Sequence, residues 1–149
     1  MTRAALVLLA CALALQACGE GDSPALVASH ARVFAPLPGR TASVAYLDLE
    51  NRSSRSITLH GASSPAFARA ELHETTISNG VASMRPLASI VVEAGSQMQF
   101  EPGGKHIMLI DPLKAVLPGA SVPLQLHYDD AGLLALEAEV QTRLDDNDN

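Results

Sequence analysis

Leu72-His73-Glu74-Thr75-Thr76-Ile77-Ser78-Asn79-Gly80-Val81-Ala82-Ser83-Met84-Arg85-Pro86 is the stretch whose reading decides the fold. Asn-Gly between two β-prone runs is the strongest short-range hairpin signal, because a tight two-residue turn needs φ > 0 at both positions. The same pattern recurs on either side. Short runs rich in β-formers at 27–34, 42–51, 56–63, 69–77, 81–86, 90–93, 97–100, 106–110, 122–128 and 134–141 alternate with turn-forming clusters. Among the turns are Pro36-Leu37-Pro38-Gly39, Ala94-Gly95, Pro102-Gly103-Gly104, Pro118-Gly119 and Asp129-Asp130-Ala131-Gly132. Many short strands at close spacing predict an all-β single domain, a sandwich or barrel. Residues 133–140 are Ala- and Leu-rich enough to pass for a helix. The alternation Leu136-Glu137-Ala138-Glu139-Val140 fits a half-buried strand better.

The N-terminus reads as a secretory signal. Arg3 supplies the positive start, and Ala4-Ala5-Leu6-Val7-Leu8-Leu9-Ala10 begins an apolar run too short to be a membrane span. Leu15-Gln16-Ala17-Cys18-Gly19 resembles a bacterial lipobox, in which the cysteine becomes the lipidated first residue of the mature chain. Gln16 departs from the small residue usual there. The alternative is an ordinary signal peptide and a soluble periplasmic protein. Gly19, where Asp would favour retention at the inner membrane, tilts the expected location toward the outer membrane. The expected organisation is a signal at 1–17, lipidated Cys18 and tether at 18–25, one domain at 26–141 and a disordered acidic tail at 142–149.

With the signal removed, 9 basic residues face 16 acidic ones, a net charge of −7. No basic stripe is present, which argues against a nucleic-acid partner. Aromatics make up 3% and Trp is absent, which disfavours stacking sites for sugars or bases. Cys11 leaves with the signal and an acylated Cys18 has no thiol. Any metal site in the domain is therefore limited to His, Met and carboxylates.

Such a donor set exists. His106 and Met108 stand two apart in Gly103-Gly104-Lys105-His106-Ile107-Met108-Leu109, so in a strand both project from one face while Ile107 and Leu109 face the core. His73 and Met84 lie on opposite arms of the Asn79-Gly80 hairpin. Together the four read H-x10-M-x21-H-x-M. Two imidazoles with two thioethers suit Cu(I) and are poor for Mg²⁺ or Ca²⁺. Taken singly, each residue has a plainer reading, since a lone Met in a β protein is usually core filler. Met98 reads as packing, with a role as auxiliary donor left open. His60 and His127 read as surface or packing residues. Glu71 and Glu74 flank His73 and could orient its ring. No Ser-His-Asp order, phosphate loop or paired-carboxylate site stands out.

At these residues the chain resembles the periplasmic copper chaperones of the PCu(A)C type. All four motif positions match, with both long spacings intact. Ala45-Tyr46-Leu47-Asp48-Leu49-Glu50-Asn51, Ala62-Ser63-Ser64-Pro65 and Met84-Arg85-Pro86 match as well. The resemblance spans 26–141. His30, in Ser29-His30-Ala31-Arg32, stands where the family often has Trp, which leaves open a further His contribution from the N-terminal region. The resemblance implies a cupredoxin-like Greek-key β-sandwich and a non-enzymatic Cu(I) chaperone with His73, Met84, His106 and Met108 as ligands and Cu(II) as a further candidate. It also implies a copper-accepting partner such as a cytochrome c oxidase subunit or another assembly factor, with delivery toward the CuA centre. Without a thiolate, a blue-copper electron carrier is excluded. Two alternatives stand beside this reading: a copper-scavenging or resistance protein with the same site, and a structural β-sandwich lipoprotein without metal.

Overall fold

The computed structural model describes residues 24–129 and 131–142. The expected signal, the lipidation site Cys18, most of the tether and residues 143–149 lie outside the described residues. Ten strands follow one another: β1 (Leu26–Phe34), β2 (Ala42–Asn51), β3 (Ile57–Ser63), β4 (Phe67–Ser78), β5 (Val81–Pro86), β6 (Ile90–Val92), β7 (Gln97–Phe100), β8 (Lys105–Pro112), β9 (Ser121–Tyr128) and β10 (Gly132–Gln141). Each falls where a strand is expected from sequence. The ambiguous 133–140 stretch is strand β10, because its alternation buries Ala138 and Val140 and leaves Glu137 and Glu139 outside. Asn79 (φ 51°) and Gly80 (φ 77°) both have positive φ, the conformation that a two-residue I′ hairpin turn demands.

The strands form one sheet in the order β5-β4-β8-β7-β2-β1-β10-β9-β3-β6, and an added β3–β4 pairing closes it on itself. Most ladders are antiparallel; β1–β10 and β7–β8 are parallel. The pairs β1–β10, β2–β8, β3–β9 and β4–β8 join strands distant in sequence, as in a Greek-key sandwich. Closure leaves few open edges, with β5 the most exposed. The core is mainly aliphatic, built from Leu47, Leu49, Leu59, Ile107, Leu109, Leu124 and Leu126 with two phenylalanines, Phe100 and Phe67. Among the described residues no helix is long and apolar enough to cross a membrane.

One end of the barrel is tied by a polar residue. Asn51 is fully buried. Its amide nitrogen donates to the carbonyls of Arg55, Val92 and Glu93, at 2.8, 2.9 and 3.1 Å. Its side-chain oxygen accepts from the N–H and hydroxyl of Ser53. Asn51→Ala removes the buried donor to the Val92 carbonyl and the acceptor of the Ser53 N–H, at about 1–3 kcal/mol per unsatisfied group, while the Arg55 and Glu93 carbonyls keep Ser53 and Ser96 as partners. The expected loss is about 3 kcal/mol, read as a lower urea midpoint at unchanged m-value.

Candidate metal centre

The β4–β8 ladder builds the centre. Its register places His73 opposite His106, Leu72 opposite Ile107 and Glu71 opposite Met108. β2 continues the sheet on the other side, with Val44 opposite Met108 and Ala45 opposite Ile107. Odd and even positions therefore separate cleanly. Leu72, Ile107 and Ala45 enter the core, and His73, His106, Met108 and Val44 stand on the outer face. β5 adds Met84 to that face opposite Thr75, one diagonal step from His73. The four donors thus come from three adjacent strands and share one face.

They are not equally exposed. His106 points away from the core, as its alternation with Ile107 predicts, yet it is only 3% exposed. The His73 ring lies 5.9 Å away and the Tyr46 ring packs edge-on at 6.4 Å, centroid to centroid. Met108 is half-buried. Met84 is 54% exposed, so its thioether forms the solvent side of the group.

Each imidazole is held through one nitrogen. His73 Nε2–H donates to Glu71 Oε2 at 3.0 Å. His106 Nδ1–H donates to the Gly104 carbonyl at 3.1 Å, which also accepts the Thr75 N–H at 2.9 Å. The turn that offers this carbonyl needs Gly103, whose φ is +77°. Those bonds fix both tautomers and leave His73 Nδ1 and His106 Nε2 as lone-pair donors, buried and without a hydrogen-bond partner. A buried unpartnered nitrogen costs stability unless something binds it. Two of them beside two thioethers form a soft donor set that fits a monovalent copper ion.

Burial holds the His106 pKa below its ordinary value; the nearby His73 ring pushes the same way, and the Gly104 carbonyl opposes both. The neutral ring needed for metal binding is thus favoured at neutral pH, and proton competition at this donor sets in below the usual histidine range. The sign for stability follows. His106 takes up its proton more readily unfolded than folded, so its contribution is complete above about pH 6.5 and is lost as pH falls toward the lowered folded value. Urea midpoints of the apo protein between pH 7 and 5 should drop less steeply for His106→Ala than for wild type. The difference in slope should be at most about 1.4 kcal/mol per pH unit.

An open cavity of about 290 Å³ is lined by three of the four candidate ligands, His106, Met108 and Met84, with Tyr46 and, on the loop between β1 and β2, Leu37 and Arg40; His73 lies behind it. The remaining histidines and Met98 lie apart. His30 occupies the β1 bulge at φ 51° and reaches Asp48 at 2.8 Å. His60 pairs with Asp129 at 3.0 Å, and His127 with the Ser63 hydroxyl at 2.8 Å. Met98 packs against the core opposite Leu49. Glu74, the other candidate for orienting His73, is committed to Arg85 and Lys105. Nothing local in the sequence marks the Gly104 carbonyl as a partner of His106, whereas the place of Tyr46 on the outer face is legible in its alternation with the core residues Ala45 and Leu47. Glu71→Gln keeps the shape but weakens the bond that orients His73. Metal affinity should fall about 10–100-fold, measured by chelator competition.

Comparison with known proteins places the chain. The family model "Putative lipoprotein LpqE-like" matches residues 26–140. The chain belongs to the LpqE-like family. A relative from Leifsonia xyli subsp. xyli, Lxx21020, likewise described as a lipoprotein, is 35% identical over 123 residues, covering 81% of this chain and 72% of its own length. The solution structure of the Cu(I) form of DR1885 from Deinococcus radiodurans superposes with a TM-score of 0.67 at 28% identity, covering 86% of this chain and 85% of that one. The copper-bound PCuAC domain of PmoF2 gives a TM-score of 0.67 at 24% identity over 80% and 94% of the two chains. The LpqE-like chain thus has the PCuAC cupredoxin-like fold.

Proposed function

We propose that this LpqE-like protein is an extracytoplasmic Cu(I) chaperone whose ligands are His73 Nδ1, His106 Nε2 and the thioethers of Met84 and Met108. The observation that carries this reading is the pair of buried, unpartnered imidazole nitrogens, which the β4–β5 and β4–β8 registers set on one sheet face with two methionines. The Cu(I) form of a structural relative supports it. Neutral donors leave the bound ion its single positive charge. Thioethers favour Cu(I) over Cu(II), which suits carriage of the ion over redox work.

Transfer follows from the gradient in exposure. His73 and His106 are held from behind by Glu71 and Gly104. Met84 lies outermost and has no such restraint, so it is the first ligand to be displaced by an entering donor. The acceptor's donor binds as the Met84 sulfur leaves, keeping coordination occupied throughout, and the histidines release last. Cys18 would carry the lipid that anchors the domain at the periplasmic face of a membrane, the outer one favoured over the inner, and the CuA centre of cytochrome c oxidase is the destination we assign. Competition of the purified domain against a chromophoric Cu(I) chelator tests the binding. Oxidase activity of a deletion strain under copper limitation tests the destination: full activity there would assign the copper to storage or resistance.

A further inference from the structure

The β-barrel has two ends, and one of them is built for contact. The loops 35–41 and 113–120 lie together at the end where β1 and β10 finish. Asp111 N–H donates to the Thr41 carbonyl, Ala35 N–H to Gln141, and Gly119 N–H to Val140. On these loops Leu37, Leu113 and Leu117 are 42%, 67% and 62% exposed. Arg40 and Lys114 stand beside them, and among the described residues neither has an ion-pair partner. Three exposed leucines between two unpaired cations are unusual on a chain of net charge −6. Leu37 and Arg40 also line the cavity of the metal centre, so the patch is continuous with its mouth.

We infer that this loop end docks the copper-exchange partner, and that the partner offers an apolar contact surface edged by carboxylates. The inference rests on the chaperone reading for its purpose, but its geometry stands independently. Charge complementarity sets the partner's sign, since a local pair of cations attracts carboxylates within a Debye length of about 8–10 Å whatever the net charge. An anionic membrane would suit the same chemistry but not the same place. β1 starts at the opposite end with Leu26 and runs nine residues to Phe34, about 30 Å. With Cys18 lipidated, a tether over 18–25 reaches at most about 28 Å, short of what would bring the leucines to the bilayer.

The test uses the full mature protein, ¹⁵N-labelled and metal-free, titrated with two synthetic peptides sharing a Leu-rich core, one flanked by Glu and one by Lys. The Glu peptide should bind at least about tenfold tighter at low salt and shift the amides of 37–41 and 111–117. Both effects should vanish in R40E/K114E, whose exposed positions leave the fold intact. Equal binding of the two peptides, shifts elsewhere, or an unchanged preference in the double variant overturns the proposal. So does a preference seen only when residues 143–149 are removed, which would assign the patch to the chain's own acidic terminus. Sedimentation with anionic vesicles that depends on Arg40 and Lys114 would overturn it in favour of lipid. Because the peptides are read without copper, failure here is separate from failure of Cu(I) binding, which the chelator competition reports.

Discussion

Alanine at both His106 and Met108 is expected to lower Cu(I) affinity by at least about a hundredfold while the protein stays folded. Even residues that only orient metal ligands are worth 10–100-fold, and this variant removes two of the proposed donors outright. The stability cost is smaller than burial alone suggests. Removing the His106 ring leaves space, but it also removes a buried nitrogen without a partner in the apo protein, and the two effects oppose each other. Met108 is only half-buried. The apo urea midpoint should therefore correspond to a change below about 2 kcal/mol. A large affinity loss beside a small stability loss is the signature of a site maintained for binding. Met84→Leu gives the complementary result: its side chain is 54% exposed, so affinity falls with almost no change in stability.

The largest structural effect is expected at Phe100. It is 1% exposed and ends β7, where that strand is wedged between β2 and β8, with Leu47 opposite it on one side and Lys105 on the other. Phe100→Ala removes the most deeply buried aromatic of the described core. The cost is about 3–5 kcal/mol, a large share of the 5–15 kcal/mol typical of a whole domain. Urea denaturation reads it directly. The variant also loosens the 101–104 turn that follows, and with it the Gly104 carbonyl on His106. Its Cu(I) affinity should fall too, though less than in the double alanine variant.

Much of the fold is legible because its signals are local. Asn79-Gly80 announces a turn that only positive φ can make, and the alternation of 136–140 settles a strand against a helix. The same period-two logic places His106 and Met108 on one face. What sequence does not disclose is non-local. His73 and His106 meet because β4 and β8 pair in one register, across more than thirty intervening residues, and nothing in either segment alone specifies that register. The burial of His106 is hidden for the same reason: alternation says which way the ring points, and only the neighbouring strands say what covers it. His30 illustrates another gap. Its left-handed conformation belongs to a bulge that depends on the register between β1 and β2, so the Trp-like position implied by resemblance becomes an exposed His–Asp pair. The leucines and cations of the 35–41 and 113–120 loops read as scattered turn residues until strand order brings their loops to one end.

The central claim is that two imidazole nitrogens and two thioether sulfurs converge on one Cu(I) ion. X-ray absorption at the copper edge of the Cu(I)-loaded protein tests it most directly. The expected spectrum is that of Cu(I) with a mixed shell of two nitrogen and two sulfur scatterers, with sulfur lost stepwise in Met84→Leu and Met108→Leu. A shell of nitrogen and oxygen alone, unchanged by either substitution, would contradict the account.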